Sequence, residues 1–119
     1  MRPFPKRGSL YVARFDPTEG SEIKKTRPAM IIQNDIGNRF SNVTIVAAIT
    51  SKFRMPMHPI NVFIKAPEAG LAVDSVVRLD QIRSVDKARL VKKLGIARPT
   101  TMAKIDWAIN ISLGLADLS

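Results

Sequence analysis

Residues 43–49, Val-Thr-Ile-Val-Ala-Ala-Ile, carry apolar side chains on both parities. Successive side chains of a β-strand point to opposite faces, so a strand of this kind needs both faces covered. Its ends are polar. The run stops at Thr50-Ser51-Lys52, and residues 34–42, a turn-rich connection containing Gly37, lead back to a second apolar stretch at 27–33. Pro28 lies near the start of that stretch, where a missing N–H is tolerable. Two core strands thus each deliver polar groups to one of their ends. An arginine, a hydroxyl and a lysine gathered there would suit a phosphate.

Prolines at 3, 5, 17, 28, 56, 59, 67 and 99 punctuate the chain every few residues, as in a domain of short strands. Residues 9–15 read as a first strand and 16–26 as a loop. Residues 60–65 alternate, with Ile60, Val62 and Ile64 facing one way. A turn follows at 67–70 and a short strand at 75–79. Residues 80–88 are ambiguous, with room for a helical turn, and 89–94 suit a last strand. After Pro99 the spacing of Met102, Ile105, Ile109, Ser112 and Leu113 becomes helical, with Thr100 or Thr101 as N-cap and Gly114 at the end. The expectation is a single, mainly β domain over residues 1–119: a compact, partly open barrel with a C-terminal helix packed on it. The helix would cover one side of 43–49 and a second copy of the chain another, which implies a homodimer.

The chain has 119 residues and is 45% apolar, enough to bury a core. With no cysteine, disulfides and thiolate metal sites are excluded, and the cytoplasm is the default compartment. Residues 1–7 lack the apolar core of a signal peptide, and no apolar run approaches the ~20 residues of a membrane span. Lysine and arginine number 19 against 10 Asp and Glu, a formal net charge of +9. That points to a polyanionic partner, nucleic acid first and an acidic protein second, with a solvated basic surface as the plain alternative.

The carboxylates are scattered, with no spacing that resembles a paired-carboxylate metal site. His58 is the only histidine, so a two-histidine acid/base pair is impossible; it reads as a loop residue without catalytic duty. RNA offers a route that needs neither, because its own 2′-OH can attack the adjacent phosphorus. The protein must then stabilise the added negative charge and manage two proton transfers. Arg27 would supply a fixed cation and a bidentate fork, Thr50 or Ser51 a hydrogen bond to the same phosphate, and Glu22 a proton acceptor. Each has a plainer reading: Arg27 flanks a strand, Thr50 fits β geometry, and Glu22 balances Lys24 and Lys25. Lys24, Lys25, Lys52 and Arg54 form either a basic rim for an RNA backbone or a solvated loop surface. Phe15, Phe40 and Phe53 flank polar loops, where they pack or stack on bases. Asn34 and Gln81 carry amides able to read base edges. Trp107 lies close to the helical stripe and reads as structural.

Several ordered segments together resemble the MazF/PemK family of bacterial toxins. They are Asp16-Pro17-Thr18, Gly20-Ser21-Glu22, Thr26-Arg27-Pro28, Gln33-Asn34-Asp35-Ile36-Gly37-Asn38-Arg39 and Ile49-Thr50-Ser51-Lys52. Downstream, Asp74-Ser75-Val76-Val77, Asp80-Gln81-Ile82-Arg83 and Ile111-Ser112-Leu113-Gly114-Leu115 follow in the same order. The resemblance implies a small SH3-like barrel with a C-terminal helix, acting as a homodimer. It implies a sequence-specific, metal-independent endoribonuclease without cofactors, cutting single-stranded RNA, chiefly mRNA, to 2′,3′-cyclic phosphate and 5′-OH ends. Arg27 and Thr50 fall on the family's catalytic pair, and Glu22 is expected near it. The loop 16–26, with Glu19 and Ser21, would cover RNA and be displaced or reordered by an acidic, partly disordered antitoxin. Arg7-Gly8-Ser9 departs from the family's usual Arg-Gly-Asp, and residues 53–59 and 65–73 match less well. A toxin of the same fold that binds DNA gyrase without catalysis, and an RNA-binding barrel without turnover, are the alternatives.

Overall fold

The computed structural model describes residues 3–15 and 26–117. Its strands are β1 Ser9–Arg14, β2 Thr26–Ile31, β3 Val43–Thr50, β4 Asn61–Ile64, β5 Ser75–Asp86 and β6 Leu90–Ile96. They form one curled antiparallel sheet in the order β4-β5-β3-β2-β1-β6, a half-barrel in which β3 is central. Two helices complete it: α1, Asp35–Phe40, between β2 and β3, and α2, Pro99–Ser112, after β6. The mainly β architecture with a C-terminal helix is the one the sequence pattern implies. No helix among the described residues is long and apolar enough to cross a membrane.

Both faces of β3 are covered within one chain. On one side Ala47 and Ile49 join Leu10, Met30, Val77 and Leu79 beneath Ile105 and Ala108 of α2. On the other, Val46 packs with Ala13, Ala29, Ile31 and Val85, sealed by Tyr11, Phe15 and Leu90. The doubly apolar pattern of β3 is therefore met by α2 and by the curl of the sheet, and does not by itself require a second copy.

Three local readings change. Residues 34–42, expected as turns, contain α1. Asn34 caps it through its side-chain oxygen, which accepts from the Gly37 N–H at 2.7 Å, and Asp35 lies in the first turn. The only buried residue of α1 is polar Asn38, so no apolar stripe announces the helix. Residues 80–88, expected to hold a helical turn, mostly continue β5 to Asp86, and the turn comes at Lys87–Arg89. A bulge hides this strand: Ala48 pairs with Arg78 but Ala47 with Ile82. Residues 79–81 drop out of the ladder and break the alternation.

The third change concerns the start of α2. Neither Thr100 nor Thr101 is its N-cap. Arg98 holds that position without a side-chain cap, and Pro99 begins the helix. The acceptor comes from a distant residue: Oε2 of Glu68 receives the Arg98 N–H at 3.0 Å and the Thr101 hydroxyl at 2.6 Å. Glu68 opens a 3₁₀ turn, Glu68–Gly70, that lies hard against β6. A Cβ on Gly95 would sit 2.6 Å from the Ala69 carbonyl carbon, and one on Gly70 only 2.0 Å from the Leu94 oxygen.

Two predictions follow from this turn. Gly95→Ala should cost about 1–3 kcal/mol by overpacking against the Ala69 backbone, read from urea midpoints; an unshifted midpoint would contradict the close approach. Burial alone would raise the Glu68 carboxyl, but the Thr101 hydroxyl, the Arg98 amide and the charges of Arg98 and Lys104 outweigh it and hold it below its ordinary value. A carboxylate depressed in the folded state stabilises the fold above its unfolded pKa of about 4.3, and that contribution is lost as pH falls through the folded value. Glu68→Gln should therefore be less stable than the wild type at pH 7, with the difference narrowing as the pH falls below about 4.3. Equal midpoints at pH 7 would remove Glu68 from the cap.

Candidate functional site

The antiparallel register decides which polar groups meet. Ala29, Met30 and Ile31 of β2 pair with Ala48, Ala47 and Val46 of β3. Carried two residues further, this register sets Arg27 opposite Thr50, at the start of β2 and the end of β3. Opposed residues of neighbouring antiparallel strands point to the same face, with Cα atoms about 4.5–5.5 Å apart. Arg27 also pairs with Ala13 of β1, so it extends from the face that carries the second core cluster, away from α2. It is exposed. The Thr50 hydroxyl accepts the Lys52 N–H at 3.1 Å and approaches the Lys52 carbonyl at 3.4 Å, which closes a tight turn at the strand end. Ser51, Lys52 and Arg54 continue from that turn and are exposed.

The same face carries further cations. Arg78 of β5 is opposite Ala48, and Arg83 is opposite Val46. The Arg83 guanidinium lies 5.1 Å from the centre of the Phe15 ring. Arg78 is bound to Asp80, its Nε donating to Oδ1 at 3.0 Å and its Nη2 to Oδ2 at 2.6 Å. The Arg78 hydrogen bond leads in holding the Asp80 carboxyl below its usual range, opposing its desolvation, with His58 contributing electrostatically. The same bond, set against desolvation, makes Arg78 hold its proton more firmly. Gln81 is exposed in the adjoining bulge.

Sequence reasoning did not single out Arg78 or Arg83. The signal for the first was present: Arg78 and Asp80, two residues apart, would share a face of any strand that ran past Leu79. Glu19, Ser21, Glu22, Lys24 and Lys25 lie outside the described residues. Among the described residues, no group of three His, Cys, Asp or Glu side chains is placed to hold a metal ion.

Other assignments move. Asn34 follows the opposite end of β2 from Arg27, about 20 Å away at strand rise, and its amide oxygen is spent on the α1 cap. Within one chain it caps α1 and lies away from the Arg27–Thr50 end. Phe40 is 76% exposed, with the Arg39 guanidinium over its ring, at that same remote end. Phe53 packs edge-on against Phe63 at 5.8 Å between centroids. His58 lies in the loop, but its ring is not unattached: Nδ1 accepts the Ile60 N–H at 3.3 Å. Trp107, read as structural, is 52% exposed on α2.

Known proteins match this chain over nearly its whole length. The family model for the PemK-like, MazF-like toxin of type II toxin–antitoxin systems matches residues 6–113. Endoribonuclease EndoA of Bacillus subtilis is 47% identical over 112 residues, 94% of this chain and 97% of that protein. Endoribonuclease MazF of Staphylococcus epidermidis is 44% identical, covering 92% of each chain. A mycobacterial endoribonuclease, solved in complex with its cognate antitoxin, superposes with a TM-score of 0.78 at 27% identity, covering 95% of this chain and 98% of that one.

The reassignment of Asn34 is testable. Asn34→Ala should lose about 1 kcal/mol of stability with the cap, while RNA affinity of the folded variant stays at the wild-type level in a fluorescence titration. A selective loss of affinity at unchanged stability would return Asn34 to the interface.

Proposed function

This chain belongs to the PemK-like, MazF-like toxins of type II toxin–antitoxin systems, and we propose that it works as an endoribonuclease at the sheet end where Arg27 and Thr50 face each other. The observation that supports the site is the β2–β3 register, which runs to Ala29 and Ala48 and, continued by two residues, would bring a guanidinium and a hydroxyl to one face. The substrate is single-stranded RNA, chiefly mRNA, cut without a ribosome or a metal.

In this reading the 2′-OH attacks the neighbouring phosphorus, the 5′-oxygen leaves and takes a proton from solvent water, and the products carry a 2′,3′-cyclic phosphate and a 5′-OH. Negative charge accumulates on the equatorial phosphate oxygens. The Arg27 fork meets it with two parallel N–H donors, a geometry lysine lacks. Arg27 keeps its proton and acts as an electrostatic clamp rather than a base. The Thr50 hydroxyl, oriented by the Lys52 turn, donates to the same phosphate. Glu22 accepts the 2′-OH proton. Lys24, Lys25, Ser51, Lys52 and Arg54 bind the RNA backbone, and Glu19, Ser21 and Gln81 add further RNA contacts.

The net charge of +9 favours an acidic, partly disordered antitoxin that folds on this surface. A mycobacterial relative assembles with its cognate antitoxin, which supports the same kind of partner here. The chain acts as a homodimer in this proposal, placing two cleavage sites in one particle.

Purified protein in excess EDTA should cut a long single-stranded RNA at one short motif and leave 5′-OH ends. Arg27→Ala should lose at least about 100-fold in rate while keeping the wild-type thermal melt. Thr50→Val, which removes the hydroxyl and keeps the shape, should also slow cleavage. Wild-type rates in both variants would take the chemistry away from this end of the sheet. Intact RNA with the wild-type protein would favour a gyrase-binding or RNA-binding role.

A further inference from the structure

The Arg78–Asp80 pair has no part in the chemistry above, yet it sits beside it. Arg78 is opposite Ala48, two residues before Thr50 on β3 and on the same face. Strand spacing and rise put the Arg78 and Thr50 backbones about 8 Å apart. That is the reach of a base adjoining a phosphate held by Arg27 and Thr50.

The pair is also built rather than incidental. An exposed ion pair alone signifies little, but this one lies where β5 leaves its ladder with β3, and bulges re-aim side chains. The bulge is fastened at Leu79 through both of its backbone groups. The Leu79 N–H donates to the Ile60 carbonyl at 3.1 Å, and the Ser112 hydroxyl of α2 donates to the Leu79 carbonyl at 2.5 Å. Both side chains of the pair are 35% exposed, open to a ligand but held in one geometry by two charge-assisted bonds.

The chemistry of such a pair suits a base edge better than a phosphate. A free arginine here would grip any phosphate and add affinity without discrimination. With Asp80 filling one side of its fork, Arg78 is largely neutralised. The carboxylate repels phosphate and accepts only from a donor; in single-stranded RNA the exocyclic amino groups of cytosine and adenine, and the N1–H and amino edge of guanine, supply one. Uracil has no amino group, and its one N3–H lies between two carbonyl oxygens that would face the carboxylate unfavourably.

We propose that Asp80 reads a base next to the scissile phosphate by accepting a hydrogen bond from an exocyclic amino group, which cytosine, adenine and guanine carry and uracil lacks, with Arg78 as the residue that positions its carboxylate. This rests on the endoribonuclease reading and adds a source of its sequence preference.

The test is cleavage of a randomised single-stranded RNA pool in EDTA by wild type, Asp80→Asn and Arg78→Leu, with the 5′-OH ends sequenced and thermal melts recorded. The wild type should discriminate against U at one position beside the cut. In Asp80→Asn that preference should shrink about tenfold, with the other positions unchanged and overall cleavage retained. Arg78→Leu should blur the same position, because the carboxylate remains but is no longer oriented. An unaltered profile in folded Asp80→Asn would overturn the inference and leave the endoribonuclease reading standing. Absence of cleavage by the wild type would remove both.

Discussion

Four hydrogen bonds converge on the buried side chain of Asn38, and the pairing of β2 with β3 depends on them. Its Oδ1 accepts from Thr44 at 2.7 Å and from Gln33 at 3.0 Å, while its Nδ2 donates to the Gln33 carbonyl at 2.9 Å and to Asp35 at 3.1 Å. Gln33 follows β2 and Thr44 belongs to β3, so one amide ties both strands through α1. A slip of one residue would turn every side chain to the other face. It would also leave a buried amide and a buried hydroxyl unpaired, a cost of roughly 1–3 kcal/mol for each group. The turn at one end of the two strands thereby fixes what meets at the other. Arg7 reinforces the arrangement: its backbone N–H donates to Asp35, its Nε to the Ile32 carbonyl, and its Nη2 pairs with Asp106 of α2 at 2.7 Å.

The face that this register presents is polarised. Near α1 it is closed by the second core cluster, with Val46 and Ile31 fully buried. At its other end Arg27 and Ser51 are exposed, while Val76 opposite Thr50 stays buried beneath them. The closed half gives the rigidity that a positioned clamp requires, since a misplacement of about 1 Å can cost 100-fold in rate. The open half leaves the loops on either side to shape the remaining contacts.

Much of this was legible in the residues. The doubly apolar 43–49 run identified the central strand, and Pro28 and Thr50-Ser51-Lys52 marked the strand ends that come together. What stayed hidden has physical causes. The helix α1 is anchored by a polar residue, so it lacks the apolar spacing by which helices are read. The second half of β5 follows a bulge that interrupts its alternation, which also concealed Arg78 and Asp80 as face-mates. The cap of α2 comes from Glu68, thirty residues upstream of Arg98, a contact visible only in three dimensions. The capping role of Asn34 was not legible because an amide in a polar turn looks alike whether it binds a ligand or a backbone N–H.

The Ser112 hydroxyl gives the far end of the chain a hold on the bulge. Leu113 and Gly114 complete the last turn of α2 through the Ile109 and Ile111 carbonyls, and Gly114 takes the positive φ of 77° that ends it. A fusion partner or purification tag attached just beyond that turn would tug on the residue that fastens Leu79. Fraying there reaches the sheet before it reaches the core. The last turn of α2 is thus a mechanical handle on the bulge of β5.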